Sequence, residues 1–175
     1  MKYYLLNWQE EGNLLPRIRD WTKRLDYQAV RKKELEKLPE RVVLFLEENP
    51  EVLFSDIIEK PFFLVSKMFW EVSKMYEVRI YGKEVVLLDG INGYAEIYYL
   101  PVFPSHTCLS SLSVFNNDSS VLHKIVLDKE KLQYAPPIFS IEGIEKTYLV
   151  GRMDFVESIL RRGAKGIHLT ELEIG

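Results

Sequence analysis

The sequence has one cysteine in 175 residues, Cys108, so no disulfide can form within the chain. Structural disulfides belong to oxidising compartments, and a lone cysteine therefore favours a reducing one. No run of apolar residues approaches the roughly 18 that a membrane-spanning helix needs. The apolar stretch over residues 1–8 is too short for a signal peptide and has no cleavage site after it. We therefore expect a cytoplasmic protein that does not bind membranes.

The sequence also lacks a large excess of charge of either sign. It holds 23 Lys and Arg against 26 Asp and Glu, which gives a net charge of −3. Proteins that hold nucleic acid non-specifically carry a strongly basic surface, so we expect no nucleic-acid partner. No glycine-rich phosphate loop, GxSxG nucleophile elbow or HExxH zinc motif is present. We therefore expect no cofactor and no metal.

Apolar residues, by contrast, are plentiful enough for a folded domain. They make up 47% of the chain, with 28% charged and 13% aromatic residues. A chain of this length buries roughly 70% of its unfolded surface, so it needs neither a disulfide nor a metal to fold. The length predicts a single domain over residues 1–175, in which an N-terminal strand and helix region, residues 1–40, precedes an α+β core, residues 41–175.

The spacing of apolar residues predicts the secondary structure. Strands are predicted over residues 2–8, 42–46, 62–65, 79–89, 94–103, 122–127, 138–141, 146–150 and 166–173. Helices are predicted over residues 17–37, from Asn49-Pro50 to about 58, from the cap Ser66 to about 77, and over 152–162. Turns are predicted at 11–13 and 90–93, and a polar loop over 105–120. This order predicts an α+β fold whose mixed, mainly antiparallel sheet packs against helices.

Two segments about 85 residues apart are similar: Leu64-Val65-Ser66-Lys67-Met68 and Leu149-Val150-Gly151-Arg152-Met153. Each has a strand end, a small residue, a basic residue and a Met that opens an amphipathic helix, and a strand follows each helix. Common capping preferences would produce the same pattern. The sharper interpretation is two similar strand–helix–strand units in one core. Gly163 predicts that the second helix ends there with a residue in the left-handed backbone conformation.

The polar loop contains the only residues that suggest catalysis. His106 and Cys108 lie two residues apart, as in half of a metal site or a thiol beside a base. Structural zinc needs four ligands, so we interpret the pair as incidental. A small hydrolase or transferase that uses this pair remains the alternative. Asp89 next to Gly90 is more typical of a turn than of catalysis.

An acidic stretch follows a mixed but basic one. Residues 17–41 are rich in Lys and Arg, interleaved with acids, and Glu47, Glu48, Glu51, Asp56 and Glu59 then follow with no base until residue 60. A solvated basic helix followed by a solvated acidic helix explains this pattern. It also suits a surface for a protein partner of opposite charge, since complementary charge raises the rate and selectivity of association.

The chain from about residue 40 to 173 resembles a known family. Phe62-Phe63-Leu64-Val65-Ser66 leads into a helix, and the strands Val85-Val86-Leu87-Leu88-Asp89 and Tyr98-Tyr99-Leu100-Pro101-Val102 follow. Ile138-Phe139-Ser140-Ile141-Glu142-Gly143, Tyr148-Leu149-Val150-Gly151-Arg152 and Gly163-Ala164-Lys165-Gly166-Ile167 complete the order. This order is similar to that of immunity protein 11 of bacterial polymorphic toxin systems, and of the related type 43. Gly151 departs from the serine that the family often has there.

The resemblance implies a small cytoplasmic protein that binds a cognate toxin and neutralises it by occlusion, without catalysis. Exposed aromatic residues and loops would supply the contacts. We expect three partner-binding surfaces: the acidic stretch, the turn after residue 89 and the polar loop. The candidate residues are Glu47, Glu48, Glu51, Asp89, Asn92, Tyr94, His106, Phe115 and Asn116. A regulatory binding module is a further alternative, and the sequence leaves the oligomeric state open.

Overall fold

The structure is a computed structural model that describes residues 1–9 and 14–175, so the turn predicted at 11–13 lies outside the described residues. The predicted α+β class is confirmed. The strands are β1 Tyr3–Trp8, β2 Ile18–Arg19, β3 Arg41–Leu46, β4 Ile57–Ile58, β5 Leu64–Ser66, β6 Tyr81–Asp89, β7 Tyr94–Val102, β8 Ser105–His106, β9 Val114–Phe115, β10 Leu122–Lys124, β11 Val126–Leu127, β12 Ile138–Ile141, β13 Leu149–Arg152, β14 Ile167–Glu171 and β15 Glu173–Ile174. The helices are α1 Tyr27–Arg31, α2 Lys67–Tyr76 and α3 Met153–Arg161.

Most strands belong to two sheets. The six-stranded sheet has the order β2-β3-β6-β7-β5-β4, and all its neighbours are antiparallel except β3 and β6. The five-stranded sheet has the order β14-β1-β13-β12-β8, antiparallel except between β12 and β8. The N-terminal strand β1 thus lies inside the five-stranded sheet, between two strands from the end of the chain.

The two predicted strand–helix–strand units are present. The first runs β5-α2-β6 and the second β13-α3-β14, and in each the two strands flank one antiparallel strand, β7 or β1. The Ser66 hydroxyl accepts a hydrogen bond from the Phe69 N–H at 3.2 Å and so caps α2. Gly163, with φ +77°, follows α3 as predicted. At Gly151 a Cβ would lie 2.9 Å from the Leu6 side chain, so the second unit has glycine there.

The helices α2 and α3 pack between the two sheets. Phe69 and Phe155, each the third residue of its helix, meet edge to face with ring centres 5.5 Å apart. The outer face of the six-stranded sheet is covered by buried residues from 18–38, and that of the five-stranded sheet by buried residues from 108–132. Each sheet therefore has one long helix on its inner face, and its outer face is covered by short elements and loops, including α1 over the six-stranded sheet.

Two predicted helices are wrong. Residues 17–37 form β2, α1 and two 3₁₀ turns, because Asp20 and Lys33 adopt left-handed backbone conformations, with φ 50° and 59°, that interrupt a helix. No helix follows Asn49-Pro50. The Asn49 side chain accepts a hydrogen bond from the Glu51 N–H at 3.0 Å in a local turn, and β4 instead pairs with β5. Asn49, the predicted helix cap, thus serves a turn.

Residues 55–56 join the two units. The Asp56 carboxylate accepts hydrogen bonds from the hydroxyl of Ser66 and from the N–H of Lys165, in the loop before β14. The Asp56 N–H donates to the Lys165 carbonyl at 2.8 Å, and its carbonyl accepts from the Ser66 N–H at 2.9 Å. Asp56 is 9% exposed, so the prediction that it belongs to a solvated helix is also wrong.

Gly166 and Gly163 provide a matched test of this junction. Both have positive φ, but a Cβ at Gly166 would overlap the Cβ of Ser55, whereas one at Gly163 would meet no atom within 4 Å. We expect Gly163→Ala to lower the free energy of unfolding by about 1–2 kcal/mol from backbone conformation alone. Gly166→Ala adds the cost of overpacking, so we expect a loss of about 3 kcal/mol or more. Urea unfolding measures both, and equal losses would contradict the close packing of Gly166 against Ser55.

Candidate functional site

Two of the three predicted surfaces lie together at one end of the six-stranded sheet. Because β3 and β6 are parallel, the residues that follow them emerge at the same edge. The acidic stretch follows β3, and the turn 90–93 follows β6. The Asn92 side-chain amide donates a hydrogen bond to the Asn49 carbonyl at 3.3 Å and joins the two loops. The third surface lies apart, since the polar loop covers the five-stranded sheet.

Asp89 shapes the turn and does not face solvent. It is 4% exposed, and its carboxylate accepts hydrogen bonds from the backbone N–H groups of Ile91 and Asn92 and from the Asn92 amide, at 2.7–3.1 Å. The hydrogen bonds from Asn92 hold the pKa of Asp89 below its usual range. The same turn displays Ile91 and Tyr94, which are 50% and 61% exposed. Of the predicted turn residues, Tyr94 therefore presents a large aromatic side chain to solvent, whereas Asp89 does not.

The acidic stretch contributes free carboxylates to this end. Glu47, Glu48 and Glu51 are exposed, and none forms an ion pair within residues 1–9 and 14–175. The Glu47 N–H donates to the Arg17 carbonyl at 2.7 Å, so the ladder between β2 and β3 continues one residue past β3. Glu47 therefore lies on the same side of the sheet as Val43 and Phe45, since side chains alternate along a strand.

That side of the sheet is an apolar surface that sequence reasoning missed. We call it the open face and define it as Val43, Phe45, Val86, Leu88, Ala95 and Ile97. Register places these residues beside one another on β3, β6 and β7. Val43 and Ile97 are 37% and 36% exposed, whereas Val42 and Leu87, on the other side of the same strands, are almost fully buried. The helix α2 covers the neighbouring strands β5 and β7, where Trp70 stacks on Tyr99 with ring centres 4.7 Å apart.

Charged residues surround the open face. The guanidinium groups of Arg19 and Arg24 lie 5.8 and 4.4 Å from the centre of the Phe45 ring, as cation–π contacts. Neither forms an ion pair with another described residue. Arg41 and Glu84 form an ion pair at 2.6 Å at the opposite end. An apolar centre with a charged rim is the usual anatomy of a protein–protein interface.

A sequence signal for the open face exists. The runs Val42-Val43-Leu44-Phe45-Leu46 and Val85-Val86-Leu87-Leu88 are apolar at every position, so both faces of these strands are apolar. Parallel strands normally read this way because elements cover them on both sides. The sequence of a strand does not show which elements will cover each of its faces. These two apolar runs therefore predicted two strands but not an exposed apolar surface.

The Cys108 and His106 pair has no catalytic arrangement. Cys108 is fully buried, and burial raises the pKa of its thiol to about 12. The Nε2 atom of His106 hydrogen-bonds the Lys131 carbonyl at 2.9 Å, and the ring packs on Phe139. No hydrogen bond joins the two side chains in the described chain. Phe115 and Asn116, on the β9–β10 hairpin, are also remote from the open face, because that hairpin covers the other sheet.

A cleft of about 620 Å³ lies between β1, β14 and residues 121–125. Its charged side chains are mostly paired: Lys124 with Glu173 at 2.9 Å, Lys146 with Glu59 at 3.8 Å, and Glu171 with Lys2 at 2.9 Å. Within the described ranges, no group of three or more His, Cys, Asp or Glu residues is arranged to hold a metal ion.

Comparison with known proteins does not assign the chain to a family: no family model matches it, and no curated protein matches it significantly. None of the helices in the described residues is both long enough and apolar enough to cross a membrane. The resemblance to immunity proteins therefore stays a prediction.

Burial of Cys108 leads to a chemical test. With a pKa of about 12, only about one thiol in ten thousand is ionised at pH 8, and the thiolate is the reactive form. We expect the native protein to react with Ellman's reagent only as fast as it unfolds, and the same protein in 8 M urea to react at once. Rapid labelling of the native protein would contradict the burial and would revive a catalytic role for Cys108.

Proposed function

We propose that this protein is a non-enzymatic binding protein of the immunity type, which binds a cognate bacterial toxin in the cytoplasm and occludes it. The observation that supports the proposal is the open face, an uncovered apolar surface on a parallel strand pair. Isolated exposed apolar residues are normal on soluble proteins, but a contiguous group of them marks an interaction site. Here the group is continuous with the acidic stretch through Glu47, which lies on the same side of the sheet.

The proposed interface has a centre and a rim. A stable interface buries about 800 Å² on each partner, from roughly 20–30 residues, so the open face supplies its centre and not its whole area. Tyr94 precedes Ala95 on β7, so its side chain lies on the other side of the sheet and stands beside this interface rather than within it. Glu47, Glu48 and Glu51 form an acidic rim that attracts basic groups of a toxin and accelerates association.

The proposed mechanism needs no chemistry from this chain. The centre lies on three paired strands, which hold the contact residues in place before binding, so little ordering entropy is lost there. Bound over a toxin's active site, such a surface excludes the substrate. A regulatory module would use the same surface on a different partner, and only the identity of the partner separates these two functions. The alternative of a Cys/His enzyme has no supporting geometry around Cys108.

Val43→Asp and Val78→Asp form a matched pair of variants for this proposal. Val43 lies in the open face, whereas Val78, 83% exposed, lies in the α2–β6 connection. An unpaired carboxylate buried in an apolar contact is strongly unfavourable, so we expect Val43→Asp to weaken binding about 100-fold or more. Val78→Asp should bind as the wild type does. Calorimetric titration against the toxin encoded by the neighbouring gene measures both, and melting curves check that each variant folds.

Two outcomes would contradict the proposal. Equal affinity of the folded Val43→Asp variant and the wild type would exclude the open face as the binding surface. Failure of the wild type to bind that toxin, together with failure to protect cells that express it, would exclude the immunity function itself.

A further inference from the structure

The strand β14 leaves half of its backbone without hydrogen-bond partners. It forms one edge of the five-stranded sheet and pairs only with β1. The Gln9 N–H donates to the Gly166 carbonyl and the Leu172 N–H to the Tyr3 carbonyl, both at 2.9 Å. Because hydrogen-bonded pairs alternate in an antiparallel ladder, His168 and Thr170 also face β1.

The backbone groups of the alternate residues of β14 point away from the sheet. The N–H and C=O groups of Ile167, Leu169 and Glu171 point away from β1, and no described residue bonds to them. Backbone groups of this kind at a sheet edge are a template for another strand. Asp56 ends this free edge on one side, because it already occupies the N–H and C=O of Lys165. The free stretch is therefore residues 167–171.

This edge differs from the other outermost strands of the two sheets. Natural proteins protect sheet edges by keeping edge strands short or by placing proline or lysine in them. The strands β2, β4 and β8 follow the first rule, with two residues each. β14 has five residues, with neither proline nor lysine among them. It is the longest of the four outermost strands and the least protected.

We propose that β14 binds β14 of a second copy of this chain, antiparallel, with the two-fold axis through Leu169. In this register Ile167 lies opposite Glu171 of the second copy, and Leu169 lies opposite its own equivalent. Each of Ile167, Leu169 and Glu171 then donates one backbone hydrogen bond to the second copy and accepts one from it. A shift by two residues would leave Ile167 or Glu171 unpaired on each strand, so the register centred on Leu169 satisfies the most backbone groups.

Self-complementarity favours a second copy as the occupant of this edge. The free stretch 167–171 pairs with its own copy so that its single acid, Glu171, lies opposite Ile167 and no two like charges face each other. The inference does not rest on the proposed function, because the open face belongs to the other sheet.

Cysteine cross-linking tests the register. The proposed pairing places His168 next to Thr170 of the second copy, so His168→Cys/Thr170→Cys should form disulfide-linked dimers under mild oxidation. Each single variant is a control, because its cysteine would face a native residue. The buried Cys108 does not compete. On non-reducing gels we expect the double variant at twice the 20.6 kDa of the chain, and the single variants mostly at the monomer mass.

Either of two cross-linking results would overturn the proposal. A double variant that stays monomeric would show that the two strands do not meet. Single variants that cross-link as well as the double one would show that the dimers arise from random collision.

Sedimentation equilibrium tests the dimer without cysteines. Glu171→Pro removes an outward N–H and leaves the bonds to β1 intact, whereas Glu171→Gln keeps that N–H and removes only the charge. We expect the wild type to dimerise reversibly, with Glu171→Pro raising the dissociation constant roughly tenfold or more and Glu171→Gln raising it less. A wild type that is monomeric at its highest soluble concentration, or a dimer that Glu171→Pro leaves unchanged, would overturn the proposal.

Discussion

The fold depends on one buried carboxylate. Asp56 accepts hydrogen bonds from Ser66, which caps α2, and from the backbone of Lys165, which precedes β14. It thereby links the start of one helix unit to the end of the other, across 109 residues of sequence. A buried carboxylate is tolerated only when donors surround it, and here both donors come from the elements that it holds together. The contact of Phe69 with Phe155 lies in the apolar layer between the same two units.

The open face follows from this arrangement. Each sheet receives one helix on its inner face, and α2 lies over β5 and β7, because it connects β5 to β6 across β7. The parallel pair β3 and β6 extends past the helix, so Val43, Val86 and Leu88, on the same face of the sheet as α2, keep solvent contact. Within the strands β3 and β6, residues 42–46 and 85–88 are apolar at every position, as in strands with both faces buried, but other parts of the chain cover only one of their faces. We attribute the difference to a partner.

The sequence predicted the features that depend on local chemistry. The Ser66 cap, the hairpin turn at Asn92-Gly93 and the stop at Gly163 each depend on a few adjacent residues, and the structure has all three. The helix over 17–37 failed because the left-handed backbone at Asp20 and Lys33 has no strong local signal.

Features that depend on distant contacts could not be predicted. Asp56 looks like any exposed acid until its donors, one of them 109 residues away, are known. The placement of β1 between β13 and β14 is likewise set by the opposite end of the chain. The same holds for the candidate site. The acidic stretch and the Asp89 turn were identified as separate surfaces, and only the parallel register of β3 and β6 brings them to one edge.

Methyl NMR of the complex tests the central claim most directly. Ile, Leu and Val methyl groups are labelled, the proposed partner (the product of the neighbouring gene) is added, and the change in chemical shift is measured at every methyl. The account predicts that the signals of Val43, Val86, Leu88 and Ile97 change most, while those of Leu112 and Val114 in the polar loop keep their positions. Changes confined to the polar loop, or no change at any methyl, would contradict it.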